Sequence, residues 1–185
     1  MRAAAPGQSA LLLLDVVAAL VRRKVDYAVI GALAASVHGV VRASLDADAV
    51  VSLSPREAGD LDRAFKSAGF TTALRMGDQD DPIPALLAVS DSHGNRVDLL
   101  LGLRGLEPEA FSRVIDVPFQ GETLRIIGRE DFIAMKVFAG GPQDLTDARR
   151  AIESDGRALD TNLLRRLAKA YGGAASDALE KLLRD

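Results

Sequence analysis

The sequence has no cysteine in its 185 residues. No disulfide and no cysteine-based zinc site can form, and the composition suits a reducing cytoplasm. A strong charge of either sign is also missing: the formal net charge is −3. Nothing draws the whole chain toward nucleic acid, so any RNA contact needs a local basic patch. Long hydrophobic runs are missing too. The most apolar stretch, "ALLLLDVVAALV", is too short to span a bilayer and is broken by Asp15. Its basic residues, Arg22, Arg23 and Lys24, follow the run, whereas a secretory leader carries them in front. The stretch therefore reads as a helix over Leu11–Lys24, and no membrane partner is expected. Internal repeats, low-complexity tracts and long linkers are absent as well.

What is present is an ordinary globular composition, 48% hydrophobic and 26% charged. A chain of this length can bury a core without staples. "DYAVIG" reads as a short buried strand, "ALAASVH" as a helix stopped by Gly39, and "SLDADAVVSL" as a second strand. "SPRE" announces a helix start, with Ser54 as N-cap, Pro55 at the first position and Glu57 closing a capping box. That helix should reach Ala68. "FTTALR", "ALLAVS" and "RVDLLLG" read as strands, the last two joined by the turn formers "DSHGN". "VIDVPF" and "TLRII" form a hairpin around "QGE", and from Arg129 onward the pattern is helical. The expectation is an α/β (α+β) fold: a mixed sheet flanked by helices over residues 1–128, and a C-terminal helical segment over 129–185.

The second strand raises a chemical problem. Asp46 and Asp48 stand at i and i+2, so their side chains share one face about 6.6 Å apart. Carboxylates this close repel each other and lose solvation among apolar neighbours. A magnesium ion would resolve the conflict, since it takes carboxylate oxygens and keeps water or phosphate as its other ligands. Two-metal phosphoryl chemistry asks for a further carboxylate, and Asp98 in "NRVDLLLG" supplies an acid inside another apolar strand. Solvated acids at an exposed strand end are the alternative for Asp-x-Asp taken alone. Gly31 ends the first strand and opens a helix, where backbone N–H groups can face a phosphate, or it makes a simple strand-to-helix turn.

These residues carry a resemblance. "VIGALAASVHGVVRASLDADAVV" is similar to the motif region of minimal nucleotidyltransferases of the DNA polymerase β superfamily, nearest to the AbiEii-type toxin nucleotidyltransferases. Gly31, His38, Gly39, Arg42, Asp46 and Asp48 fit that pattern, "RVDLLLG" resembles the third-carboxylate strand, and Lys136, Asp144 and Asp147 match a later Lys then Asp-x-x-Asp segment. Ala32 departs from it, standing where glycine or serine is usual, and Ser44 replaces a threonine. The resemblance implies transfer of a nucleoside monophosphate from an NTP to a hydroxyl, with Mg2+ (or Mn2+) as cofactor. Asp46, Asp48 and Asp98 would be the catalytic and metal residues. Gly31, Ala32, Arg42, Ser44 and Lys136 would line the nucleotide. The acceptor would be a tRNA end, a protein or a small molecule, and a cognate antitoxin is an implied partner. A catalytically inactive nucleotide-binding or protein-interaction module on the same fold is the other reading.

Residue by residue, structural roles stand beside these. The charge of His38 suits a helix C-terminus. Lys136 suits a lysine snorkelling at a core edge. Asp144 reads as the N-terminal acid of its helix, with Asp147 as its surface partner.

Overall fold

The computed structural model describes residues 1–40, 44–154 and 158–184. The chain begins with helix α1 (Ser9–Arg22), strand β1 (Tyr27–Ile30), the short helix α2 (Gly31–Val37) and strand β2 (Asp46–Val51). Helix α3 (Ala58–Ser67) and strands β3 (Thr71–Met76), β4 (Ala85–Ser90) and β5 (Arg96–Leu101) follow. After a 3-10 turn at Pro108–Phe111 come strands β6 (Ile115–Phe119) and β7 (Glu122–Ile126). The remainder is helical: α4 (Arg129–Ala139), α5 (Pro142–Glu153), α6 (Thr161–Tyr171) and α7 (Gly173–Leu182). Among the described residues no helix is long and apolar enough to cross a membrane.

Local chemistry accounts for most boundaries. Glu57 accepts hydrogen bonds from the backbone N–H and hydroxyl of Ser54, so the capping box forms as the sequence indicates. Gln120 and Gly121, at φ 50° and 79°, give the β6–β7 hairpin the positive dihedrals of a tight two-residue turn. The first helix stops earlier than the sequence suggests. Lys24 takes a left-handed φ of 58°, and the Val25 N–H returns to the Leu20 carbonyl, ending the helix without a glycine.

The strands form one mixed sheet in the order β3-β4-β5-β2-β1-β7-β6. At its centre β2 runs parallel to β5, while β1 pairs antiparallel with β2 and parallel with β7. Side chains of Ala47, Ala49, Val97, Leu99, Leu101, Leu87 and Val89 turn to one face and are buried. Helices α1 and α3 cover that face. Thr72 reaches from it to Asp62 of α3 with a hydroxyl hydrogen bond. The opposite face is buried at Val50 and Leu100 but opens where β2 and β5 begin.

The four C-terminal helices pack together and against the sheet layer through named side chains. Phe132 of α4 meets the His38 ring at 5.2 Å. Arg113 donates two hydrogen bonds of 2.7 Å to Asp131 of α4, and Arg166 of α6 pairs with Glu107. Apolar residues of both segments, Ile126 and Ile133 among them, belong to one continuous core.

Candidate active site

Three carboxylates come together through strand register. Asp46 and Asp48 occupy alternate positions of β2, and Asp48 is the direct partner of Asp98 across the parallel β2–β5 pair. Register partners on neighbouring strands share a face about 4.8 Å apart. Asp46, Asp48 and Asp98 therefore stand on one side of the sheet, at its open end. Asp46 is exposed, and Asp48 and Asp98 are half-buried. Ala47, Ala49, Val97 and Leu99 point into the opposite layer, which pins the register: a slip of one residue would turn the acids toward that core.

Gly31 shapes the floor of this site. Ile30 is the β1 partner of Asp48, so the next residue lies beside the Asp48 carboxylate. The backbone there has φ 63°, and a Cβ on Gly31 would sit 2.1 Å from Asp48 Oδ2. Only glycine leaves Asp48 its seat. Beside Asp46 a cavity of about 270 Å³ opens, lined by Ser9, Ala32, Leu33, Ser36 and Ser44 as well as Asp46 itself. Two residues expected at a nucleotide, Ala32 and Ser44, thus border one space with Asp46, expected at the metal. A larger cavity of about 390 Å³ lies at the far end of the same strands, with a mostly apolar lining that includes Leu100, Leu103 and Phe111.

Sequence reasoning passed over Arg96. It sits two residues before Asp98 on the same face and directly across from Asp46. Its Nε and a terminal nitrogen donate to the two oxygens of Asp98, at 2.7 and 3.0 Å. Hydrogen bonding to Asp98, then the charges of Asp98, Asp46 and Asp48, hold the guanidinium proton even more firmly than usual. The same i, i+2 rule that singled out Asp46 and Asp48 would have found it. Ser9 was passed over as well. Its hydroxyl donates to the Leu45 carbonyl and accepts from the Arg96 N–H, stapling the starts of β2 and β5 together.

The remaining expectations fall elsewhere. Arg42 lies outside the described residues. Lys136, only 13% exposed, reaches α5, with its Nζ 2.7 Å from Asp144 and 3.3 Å from Asp147. Asp147 is no surface residue: it is fully buried and also accepts from Gln143 at 2.8 Å. The helical pitch carries it to the inner side of α5, where Lys136 meets it. His38 does end α2, but not as a charge. Its Nε2 lies 2.8 Å from the Ile127 carbonyl, an acceptor only, so this nitrogen carries the proton. Burial, reinforced by the nearby Arg129 charge, pushes the imidazole below its ordinary range and keeps it neutral near pH 7.

Hard carboxylate oxygens on one strand face, one of them seated against a bare glycine, form a donor set of the kind magnesium or manganese takes. Asp46 and Asp48 carry oxygens of the type such an ion takes, and both oxygens of Asp98 accept hydrogen bonds from Arg96. In this arrangement no group of three or more acidic, histidine or cysteine side chains among the described residues converges as a metal cage.

No protein-family profile and no curated protein matches this sequence. Solved structures do match in shape. An antigenic nucleotidyltransferase-like protein from Paracoccidioides brasiliensis superposes with a TM-score of 0.55 at 15% identity, covering 98% of this chain and 90% of its own. The solution structure of the antibiotic-resistance factor ANT(2'')-Ia gives 0.55 at 16% identity, over 94% and 95% of the two chains. A crystal structure of ANT(2'')-Ia in complex with adenylyl-2''-tobramycin gives 0.54 at 17%, over 86% and 94%. Identities this low establish architecture alone. The seven-stranded mixed sheet and its flanking helices are a nucleotidyltransferase-like fold.

Proposed function

We propose that this chain transfers a nucleoside monophosphate from an NTP to a hydroxyl group and releases pyrophosphate. The observation that carries the reading is the meeting of Asp46, Asp48 and Asp98 on one open face of the sheet, with Gly31 leaving room for Asp48. Asp46 and Asp48 would hold Mg2+ (or Mn2+) and so orient the triphosphate. Asp98, on the side toward β4, would take the acceptor hydroxyl proton. The ion, when bound, supplies charge neutralisation for the phosphates. Positioning and neutralisation are most of what phosphoryl transfer needs from a protein. The cavity bordered by Ala32 and Ser44 offers space for the nucleotide beside Asp46. Lys136 is already engaged by two α5 carboxylates, so the reading does not lean on it.

The acceptor is a small molecule, a protein or a tRNA end. A tobramycin adduct in a protein of the same fold favours testing small hydroxylated molecules first. The AbiEii-type toxin reading, with an antitoxin partner, belongs to the same chemistry and differs only in the acceptor. A non-catalytic module on this fold draws support from Ala32, which offers phosphate only its backbone, and from the engagement of Asp98 by Arg96.

Incubating the chain with α-labelled NTPs, Mg2+ and cell extract tests the proposal. The label should pass to an RNA, protein or small-molecule fraction and vanish with Asp48→Asn, while the variant keeps its fold by circular dichroism. Absence of any nucleotide-dependent product, or equal labelling by Asp48→Asn, rejects it in favour of the binding module.

A further inference from the structure

Three carboxylates within about 8 Å on one sheet face repel one another and favour a positive charge beside them. The chain supplies it from within. Arg96 stands at the Asp46 level of β5, and its guanidinium bridges down to both oxygens of Asp98. Its backbone is fixed, since its N–H bonds to Ser9 Oγ at 3.1 Å. Its side chain is not fixed in the same way: it is 45% exposed, against 16% for Asp98. An ion pair with one partner this open to water is weak, and a stronger cation can exchange with it. Exchange at Asp98 therefore asks only the Arg96 side chain to move, over a backbone held by Ser9.

Building on the transferase reading above, we infer that Arg96 is the resident counter-ion of the acid site, that it competes with a divalent cation for Asp98, and that once released it becomes a ligand of the NTP phosphates. Both oxygens of Asp98 accept from the guanidinium, so a divalent cation approaching that carboxylate competes with the Arg96 charge and its hydrogen bonds. The freed guanidinium remains on the acid face, within side-chain reach of the space beside Asp46. Its planar fork matches phosphate oxygens as well as carboxylate oxygens. Arg96 thereby serves both states: in the free protein it sets a positive charge beside the acids and holds Asp98, and it meets the triphosphate when the metal arrives. Its role is that of a positioning residue for Asp98 in the first state.

The test measures Mn2+ binding directly, by the loss of the free-ion electron paramagnetic resonance signal, without nucleotide. Arg96→Ala should bind Mn2+ about tenfold more tightly than the wild type, the size expected for removing charge-assisted competition. Adding Asp98→Asn to Arg96→Ala should cancel the gain. Arg96→Lys, which keeps the charge without the fork, should fall between. In saturating Mg2+, a non-hydrolysable ATP analogue should bind Arg96→Ala more weakly than the wild type. If Arg96→Ala fails to fold, Arg96→Gln is read in its place with the same expectations. Equal Mn2+ affinity in wild type and variant overturns the inference and leaves the transferase reading standing. The expected competition with no NTP labelling upholds the inference and removes the transferase reading. No Mn2+ bound by either protein overturns both.

Discussion

The contact between Gly31 and Asp48 is the tightest constraint at the site. A methyl group on Gly31 would meet Asp48 Oδ2 at 2.1 Å, on a backbone whose φ of 63° disfavours any side chain. Neither penalty has an easy escape, because Ile30 and Asp48 are register partners in the sheet. Gly31→Ala should therefore lower stability by about 2 kcal/mol, as expected for a strained backbone position, and it should abolish nucleotide transfer because Asp48 must leave its seat. Thermal unfolding and the labelling assay read the two effects. The double variant Gly31→Ala/Asp48→Ala should recover part of the stability, since the clash goes and only the backbone strain remains. A Gly31→Ala protein that melts with the wild type would show that Asp48 does not rest against this glycine.

Individual elements were legible in the sequence to different degrees. Strands β2 and β5 announced themselves as apolar runs interrupted by acids, and the register Asp48↔Asp98 makes those interruptions neighbours. Sequence spacing gave the face of each acid but not the pairing, which depends on a parallel contact between segments fifty residues apart. Arg96 reads in the sequence as an ordinary exposed charge at a strand start, and only the folded contact with both oxygens of Asp98 sets it apart. The buried site of Asp147 was invisible for a related reason: only the packing of α4 on α5 brings Lys136 to it. Helix α2 teaches the same lesson about its cap. His38 follows the helix as expected, yet burial against Phe132 strips its charge. The folded chain holds this imidazole below the ordinary value of about 6.5, so the unfolded chain binds the proton more readily in that window. Stability contributed by neutral His38 is complete above about pH 6.5 and is lost as the pH falls through that value toward the folded one. His38→Phe removes this titration and keeps a ring beside Phe132. Its melting temperature should fall less than that of the wild type between pH 7.5 and 5, measured by calorimetry. An identical fall in both proteins would mean that His38 is not buried neutral.

At the scale of the whole molecule, the helical segment is anchored to the sheet in two ways. One core takes apolar residues from both, but its polar anchor is specific. Arg113, just before β6, makes two 2.7 Å hydrogen bonds to Asp131, which is only 2% exposed at the start of α4. Glu107, 3.6 Å from the same guanidinium, carries the link on to Arg166 of α6. A buried pair of this kind contributes little net stability while intact, because desolvation offsets the attraction, but breaking it strands a charge. Arg113→Ala should cost about 3–5 kcal/mol for that reason, whereas Arg113→Met/Asp131→Leu, which removes both charges and keeps the volume, should cost much less. Urea unfolding followed by circular dichroism separates the two. Because the core is shared, each protein should unfold in a single transition, displaced as a whole. A small loss in Arg113→Ala, or a split transition in which the helices melt before the sheet, would show that Asp131 does not tie the layers together.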